Sequence, residues 1–166
     1  MKKNKLFTRL SLSSAVVILI AAASCKKNND NGAGAAGISA TIGSTGWQSQ
    51  YAIGVEPNGD SFIYLTGYYG KSAGDTTSFE ISISDTAHVN QADPFISSDV
   101  EFYTSDNKIY SSDEFFGSHG TITVTSWDKT AHKMTGTFSG VFYNTQNSND
   151  SLTFTNGHFN TTYLTE

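Results

Sequence analysis

Alternating apolar and polar residues run through this 166-residue chain from Ile38 onward, and this pattern sets its fold class. Successive side chains of a β-strand point to opposite faces of the sheet. An alternation of period two therefore predicts strands with one buried and one exposed face. The clearest runs lie at residues 79–83, 100–103, 121–125, 134–142 and 151–155. No window after residue 37 shows a helical period, so the segment 38–166 is expected to be all-β.

Turn-forming residues separate these runs at short intervals. Pro57-Asn58-Gly59-Asp60, Ser105-Asp106-Asn107 and Asp128–Ala131 each divide two apolar runs. We expect about nine strands, and short links between them favour antiparallel neighbours. A sheet of this kind must fold over or close to bury its apolar face. The pattern predicts a single antiparallel domain built as a two-sheet sandwich, with a meander or lipocalin-like barrel as the alternative.

Three places interrupt the regular pattern. Gly136 and Gly140 fall inside the 134–142 run and predict a bend or a bulge there. Asn156-Gly157 predicts a tight turn or a bulge near the end of the chain. Residues 88–98 are irregular and are expected to form a loop.

The first 24 residues have the features of an export signal that ends at a cysteine. A basic start is followed by an apolar stretch and by small residues before Cys25, which is the single cysteine of the chain. Small residues before a cysteine resemble the lipobox of bacterial lipoproteins. This resemblance implies cleavage before Cys25 and lipid on its thiol; the alternative is an ordinary secretory signal. Residues 25–37 lack an apolar period and are expected to form a flexible tether.

Charge and composition narrow the function classes. Residues 25–166 contain six lysines, no arginine and fifteen acidic residues, which gives a formal net charge of −9. The basic stripe that nucleic-acid binding requires is absent from this sequence, so no nucleic-acid partner is expected. The four histidines show no zinc-binding spacing, and no nucleophile motif is present. We therefore expect no metal, no cofactor, no catalytic residues and no enzyme activity.

Aromatic residues are the most distinctive surplus of the chain. The strand-like segment 62–69 is apolar or aromatic on both faces. Trp127 and Tyr103 have outward parity, which means that the alternation of their predicted strands places them on the outer face. Exposed aromatic rings can stack on sugar rings, so Trp127, Tyr69 and Tyr103 are the candidate ligand-stacking residues. Ordinary cross-strand packing of aromatic residues is the alternative explanation.

The carboxy-terminal half contains three short motifs in series. They are Gly120-Thr121-Ile122-Thr123-Val124-Thr125, Gly136-Thr137-Phe138 and Thr155-Asn156-Gly157-His158-Phe159. The series resembles a family of small lipoproteins of unknown function from Bacteroidota, whose members end in a "G-T-F" strand and a "T-N-G-x-F" strand. The similarity covers about residues 38–164 and extends to Ser24-Cys25-Lys26-Lys27. It implies export, a lipid anchor and a β-fold, and it supplies no catalytic residues.

The same resemblance implies a modification. Exported proteins of this phylum are often O-glycosylated at Asp-Ser or Asp-Thr followed by a small or apolar residue. Thr86 and Ser151 stand in such positions, although Asp-Ser and Asp-Thr are also common turn pairs.

Three functions are consistent with these features. The first is a non-enzymatic binding or interaction module, lipid-anchored at the outer membrane and facing the periplasm or the cell surface, with a glycan as its partner. The second is a lipocalin-like carrier of a small apolar ligand, which needs a closed barrel with a cavity. The third is a structural protein of envelope assembly, with an envelope protein as its partner.

Overall fold

The computed structural model describes residues 36–70, 76–95 and 98–166, and these residues form an all-β domain. Cys25, the predicted export signal and the predicted tether up to residue 35 lie outside the described residues. Within the described part of the chain, no helix is long and apolar enough to cross a membrane. The eleven strands are β1 Gly37–Ile42, β2 Thr45–Gln48, β3 Tyr51–Glu56, β4 Phe62–Gly70, β5 Thr76–Ser84, β6 Ala92–Pro94, β7 Asp99–Tyr103, β8 Ile109–Ser111, β9 His119–Asp128, β10 Lys133–Asn144 and β11 Asn147–Thr165.

All eleven strands belong to one hydrogen-bonded sheet in the order β2-β1-β11-β3-β4-β5-β7-β8-β10-β9-β6. An additional pairing of β10 with β11 closes a ring through β11, β3, β4, β5, β7, β8 and β10. The strand pairs are antiparallel except β3 with β11, which run parallel. The ring leaves β2 and β6 as the outer strands of the order.

The sheet folds into two layers around an aromatic core. Phe79 of β5 lies at the centre, with its ring centroid 5.4 Å from that of Phe138 in β10 and 5.5 Å from that of Phe154 in β11. Phe142 stacks on Phe154 at 4.3 Å, and Phe159 is fully buried nearby. Inward-facing residues of β4, β5 and β7 therefore pack on those of β10 and β11. Burial of these rings is the main favourable free energy available to a domain without a disulfide.

The all-β prediction is confirmed. The predicted turns at residues 57–60 and 105–107 lie between strands, and the turn at 128–131 begins at the last residue of β9. The structure has eleven strands rather than about nine, because β2, β6 and β8 are too short to show an alternation. The short β6 lies inside the segment expected to be a loop, and Pro94 is accommodated there on an outer strand.

One continuous mixed sheet replaces the expected pair of separate antiparallel sheets because β11 serves both layers. It is 19 residues long, pairs with β10 along one edge, and pairs with β1 and then β3 along the other. Hydrogen bonds therefore continue from one layer into the next. Asn156 has a left-handed φ of 50° at a register shift of β11, so the predicted irregularity at Asn156-Gly157 is a bulge.

Candidate functional site

The outer face of β3, β4, β5 and β7 carries an unusual combination of tyrosines and carboxylates. Its side chains have the parity opposite to that of the buried residues Ile63, Leu65, Phe79 and Ile81. We name this surface the tyrosine face. Its members are Tyr51, Ile53, Tyr64, Thr66, Tyr68, Ser78, Glu80, Ser82, Asp99, Glu101 and Tyr103.

Three tyrosines of this face lie in one row that runs across the strands. Tyr51 is directly opposite Tyr68, Tyr68 is opposite Ser78, and Ser78 is opposite Tyr103. Adjacent strands are about 4.8 Å apart, so Tyr68 and Tyr103 stand about 10 Å apart and Tyr51 and Tyr103 about 14 Å apart. The small Ser78 between Tyr68 and Tyr103 leaves room above the sheet.

A second row, next to the first, places two carboxylates side by side. Thr66 is opposite Glu80, and Glu80 is opposite Glu101. Burial raises the pKa of the Glu80 carboxyl above its usual range, and the charges of Glu101 and Asp99 raise this pKa further. Like charges directly opposite one another weaken a sheet. The pair is therefore an unfavourable arrangement for the fold itself.

Hydrogen bonds hold the acidic part of the face in place. The Tyr103 hydroxyl donates to Glu101 Oε2 at 2.5 Å, and burial together with this bond raises the pKa of Tyr103. The Asp99 carboxylate accepts hydrogen bonds from the Ser112 hydroxyl and, at 2.8 Å, from the Val100 amide. An ionised carboxylate has two oxygens with about four lone-pair sites, so each of these groups can accept several hydrogen bonds at once.

The end of the face nearest β3 is apolar and open to solvent. Tyr51 is 67% exposed, Ile53 is 49% exposed and Tyr68 is 37% exposed. Leu164 of β11 is registered with Val55 in the parallel pair and adds a fourth exposed apolar side chain, at 63%. Single exposed apolar residues are normal, but a contiguous group of them indicates a contact surface.

The three predicted stacking residues do not form one surface. Tyr103 lies on the tyrosine face and is half-buried. Tyr69 lies on the opposite side of β4, with its ring 6.5 Å from that of Trp47, and is 41% exposed. Trp127 is far from both along the sheet order, on β9. The stacking roles of these three residues stay predictions.

The outward parity predicted for Trp127 is wrong. The register of β9 against β10 shifts between Thr135 and Gly136, so the extra residue of β9 reverses the parity of the positions after it. Trp127 is consequently opposite the buried Met134, packs against the core, and donates from Nε1 to the Tyr163 hydroxyl at 3.0 Å. Lys129 Nζ lies 4.3 Å from the centroid of the same indole.

Tyr51 and Tyr68 were missed by the sequence interpretation. The signal that identifies Tyr68 was present in β4, where Tyr64, Thr66 and Tyr68 alternate with Ile63, Leu65 and Gly67. The stacking residue predicted for this strand is Tyr69, whose position on β4 is on the same side as the buried Ile63 and Leu65.

The other singled-out residues have ordinary positions. Thr86 is exposed in the turn after β5, with its hydroxyl 2.8 Å from that of Ser84, and Ser151 is exposed near the start of β11. Their glycosylation stays a prediction. Within residues 36–70, 76–95 and 98–166, no group of three or more acidic, histidine or cysteine side chains could hold a metal ion.

A cleft of about 280 Å³ opens beside β6 and β9. Its floor is formed by Ile122 and Val124, and its rim includes Thr86, His88 and Gln91. This volume lies just below the usual range of small-molecule pockets, about 300–1,000 Å³. The centre of the domain is instead filled by side chains, as the contacts of Phe79 with Phe138 and Phe154 show.

The opposite outer face is chemically different. Across β1, β11, β10 and β9 its central row contains Ser39, His158, Thr137 and Thr123 in register. This row has no tyrosine, no tryptophan and no carboxylate, and its one ring is the partly buried imidazole of His158. The tyrosine face is therefore the candidate site. Comparisons of the chain with protein-family models, with curated proteins and with solved structures found no match.

Proposed function

We propose that this chain is a lipid-anchored, non-enzymatic binding module that holds carbohydrate on the tyrosine face. One observation carries the proposal: the row of Tyr51, Tyr68 and Tyr103 runs beside the paired carboxylates of Glu80 and Glu101. Tyrosine rings provide flat apolar surfaces for the C–H faces of sugars, and carboxylates accept hydrogen bonds from sugar hydroxyls.

The proposed location follows from the amino-terminal sequence. Lipid on Cys25 would hold the domain at the outer membrane, and the residues between Cys25 and β1 would act as the tether. Metabolic labelling with palmitate tests this part. The wild-type chain should carry the label and a Cys25→Ser variant should not. An unlabelled wild-type chain would refute the anchor.

The binding role is tested best with two adjacent tyrosines. Tyr68 and Tyr69 are 37% and 41% exposed, and they lie on opposite sides of β4. We expect the purified protein to retain glycans on an array, and Tyr68→Ala to weaken binding about tenfold, which corresponds to about 1.4 kcal/mol. The matched control Tyr69→Ala should change affinity less than about twofold. An equal loss in the two variants, or in neither, would contradict the assignment of the face.

The absence of catalysis is part of the proposal and has its own test. Glycosidases place two carboxyl groups on either side of the bond that is cleaved. Glu80 and Glu101 are neighbours in one row of an open sheet face, so they would contact a ligand from the same side. Incubation of the protein with a bound oligosaccharide should leave its length unchanged by mass spectrometry. Cleavage that is lost in Glu80→Gln would show an enzyme instead.

A further inference from the structure

We infer that the ligand of the tyrosine face is a linear, uncharged polysaccharide chain that lies across the strands and occupies about four successive sugar positions. This inference rests on the proposed function and specifies its ligand. It follows from the register of the face rather than from the presence of aromatic residues alone.

The row of tyrosines across the strands sets the direction in which the bound polysaccharide would run. Tyr51, Tyr68, Ser78 and Tyr103 occupy four successive strands at one level. A sugar unit in an extended chain has a length close to one strand spacing, about 5 Å. A chain that crosses the strands therefore places one unit over each of these four side chains. The small Ser78 lets the unit between Tyr68 and Tyr103 lie down on the sheet.

The carboxylates lie along one side of such a chain. Glu80 is two residues from Ser78 on β5, and Glu101 is two residues from Tyr103 on β7. Residues two apart on a strand share a face and are separated by about 7 Å, within reach of a glutamate side chain and a sugar hydroxyl. The third and fourth units would therefore donate hydroxyl hydrogens to Glu80 and Glu101.

Charge excludes acidic polysaccharides. The described side chains of the face include the carboxylates of Glu80, Asp99 and Glu101 and no basic residue. A uronic acid or sulfate above this row would meet like charges at short range on a partly desolvated surface. An uncharged sugar meets no like charge there and can donate its hydroxyl hydrogens to the carboxylates.

The test measures affinity against chain length. Calorimetry of the purified full chain would use β-1,4-linked oligomers of glucose, xylose, mannose and N-acetylglucosamine, each from one to six units. Oligogalacturonate of the same lengths is the charged control. We expect at least one uncharged series to gain more than tenfold in affinity between two and four units and to change less than twofold from four to six. Oligogalacturonate should not bind.

A variant at the end of the row makes the length argument specific. Tyr51 is 67% exposed, so Tyr51→Ala should fold normally, which circular dichroism can verify. The plateau in affinity should then move from four units to three. Any of four results would overturn this inference. The plateau could stay at four units in the variant, or a single sugar could bind the wild type as tightly as the four-unit chain does. Oligogalacturonate could bind tightly, or none of the four uncharged series could bind. Array binding to branched or terminal sugars, abolished by Tyr68→Ala, would do so while leaving the proposed function intact.

Discussion

Replacement of Phe79 by alanine is expected to destabilise the domain by about 3–5 kcal/mol. The Phe79 side chain is fully buried at the centre of the two layers. Its ring centroid lies 4.8 Å from those of both Trp47 and Phe102, and 5.4 Å and 5.5 Å from those of Phe138 and Phe154. Alanine at this position removes a ring that touches both layers at once.

The magnitude follows from the buried area. A phenylalanine buries about 150–200 Å², and at about 25 cal/mol per Å² the transfer free energy is about 4–5 kcal/mol. Alanine keeps part of this area, whereas the cavity and the lost ring contacts add to the cost. For a domain of this size the loss corresponds to a decrease in Tm of roughly 11–18 °C.

Urea denaturation followed by tryptophan fluorescence measures the free energy of unfolding, with Leu164→Ala as the control. Leu164 is 63% exposed, so its replacement should change stability by less than about 0.5 kcal/mol. The result also bears on the carrier hypothesis, because a domain with a ligand cavity would tolerate a smaller residue among its inner rings. A loss below about 1.5 kcal/mol for Phe79→Ala would refute the packed interior.

Three further predictions concern backbone packing and pH. Gly136→Ala should lower the free energy of unfolding by at least about 2 kcal/mol, because the added Cβ would lie 2.1 Å from Phe159 Cζ. Gly46→Ala should be tolerated, because no atom lies within 4 Å of its added Cβ. The urea midpoints of the two variants measure the difference. Glu80→Gln should stabilise the fold by about 0.5 kcal/mol at pH 7 and by nothing at pH 3. The folded pKa of Glu80 is raised, so its ionised form weakens the fold above that pKa. Burial lowers the pKa of His158, so the wild type should lose stability as pH falls below about 7 towards the folded pKa, and His158→Gln should lose less between pH 7.5 and 5.5.

Part of the candidate site was readable from the sequence. The parity of Tyr103 on its strand was correct, because β7 is regular and its alternation with Val100 and Phe102 is unbroken. The parity of Trp127 was wrong, because a single extra residue in β9 reverses every later side chain and Thr125-Ser126 gives no sign of it. Tyr51 was overlooked, because β3 begins at that residue and has little alternation before it.

Local pattern determined the all-β class, the turns and most of the core, since burial of alternate residues is a property of each strand by itself. Register between strands depends on pairing partners that are distant in sequence. Only the tertiary structure therefore placed Glu80 opposite Glu101 and aligned Tyr51, Tyr68 and Tyr103 across β3, β4, β5 and β7. The same applies to β11, whose 19 residues pair with both layers and join them into one sheet.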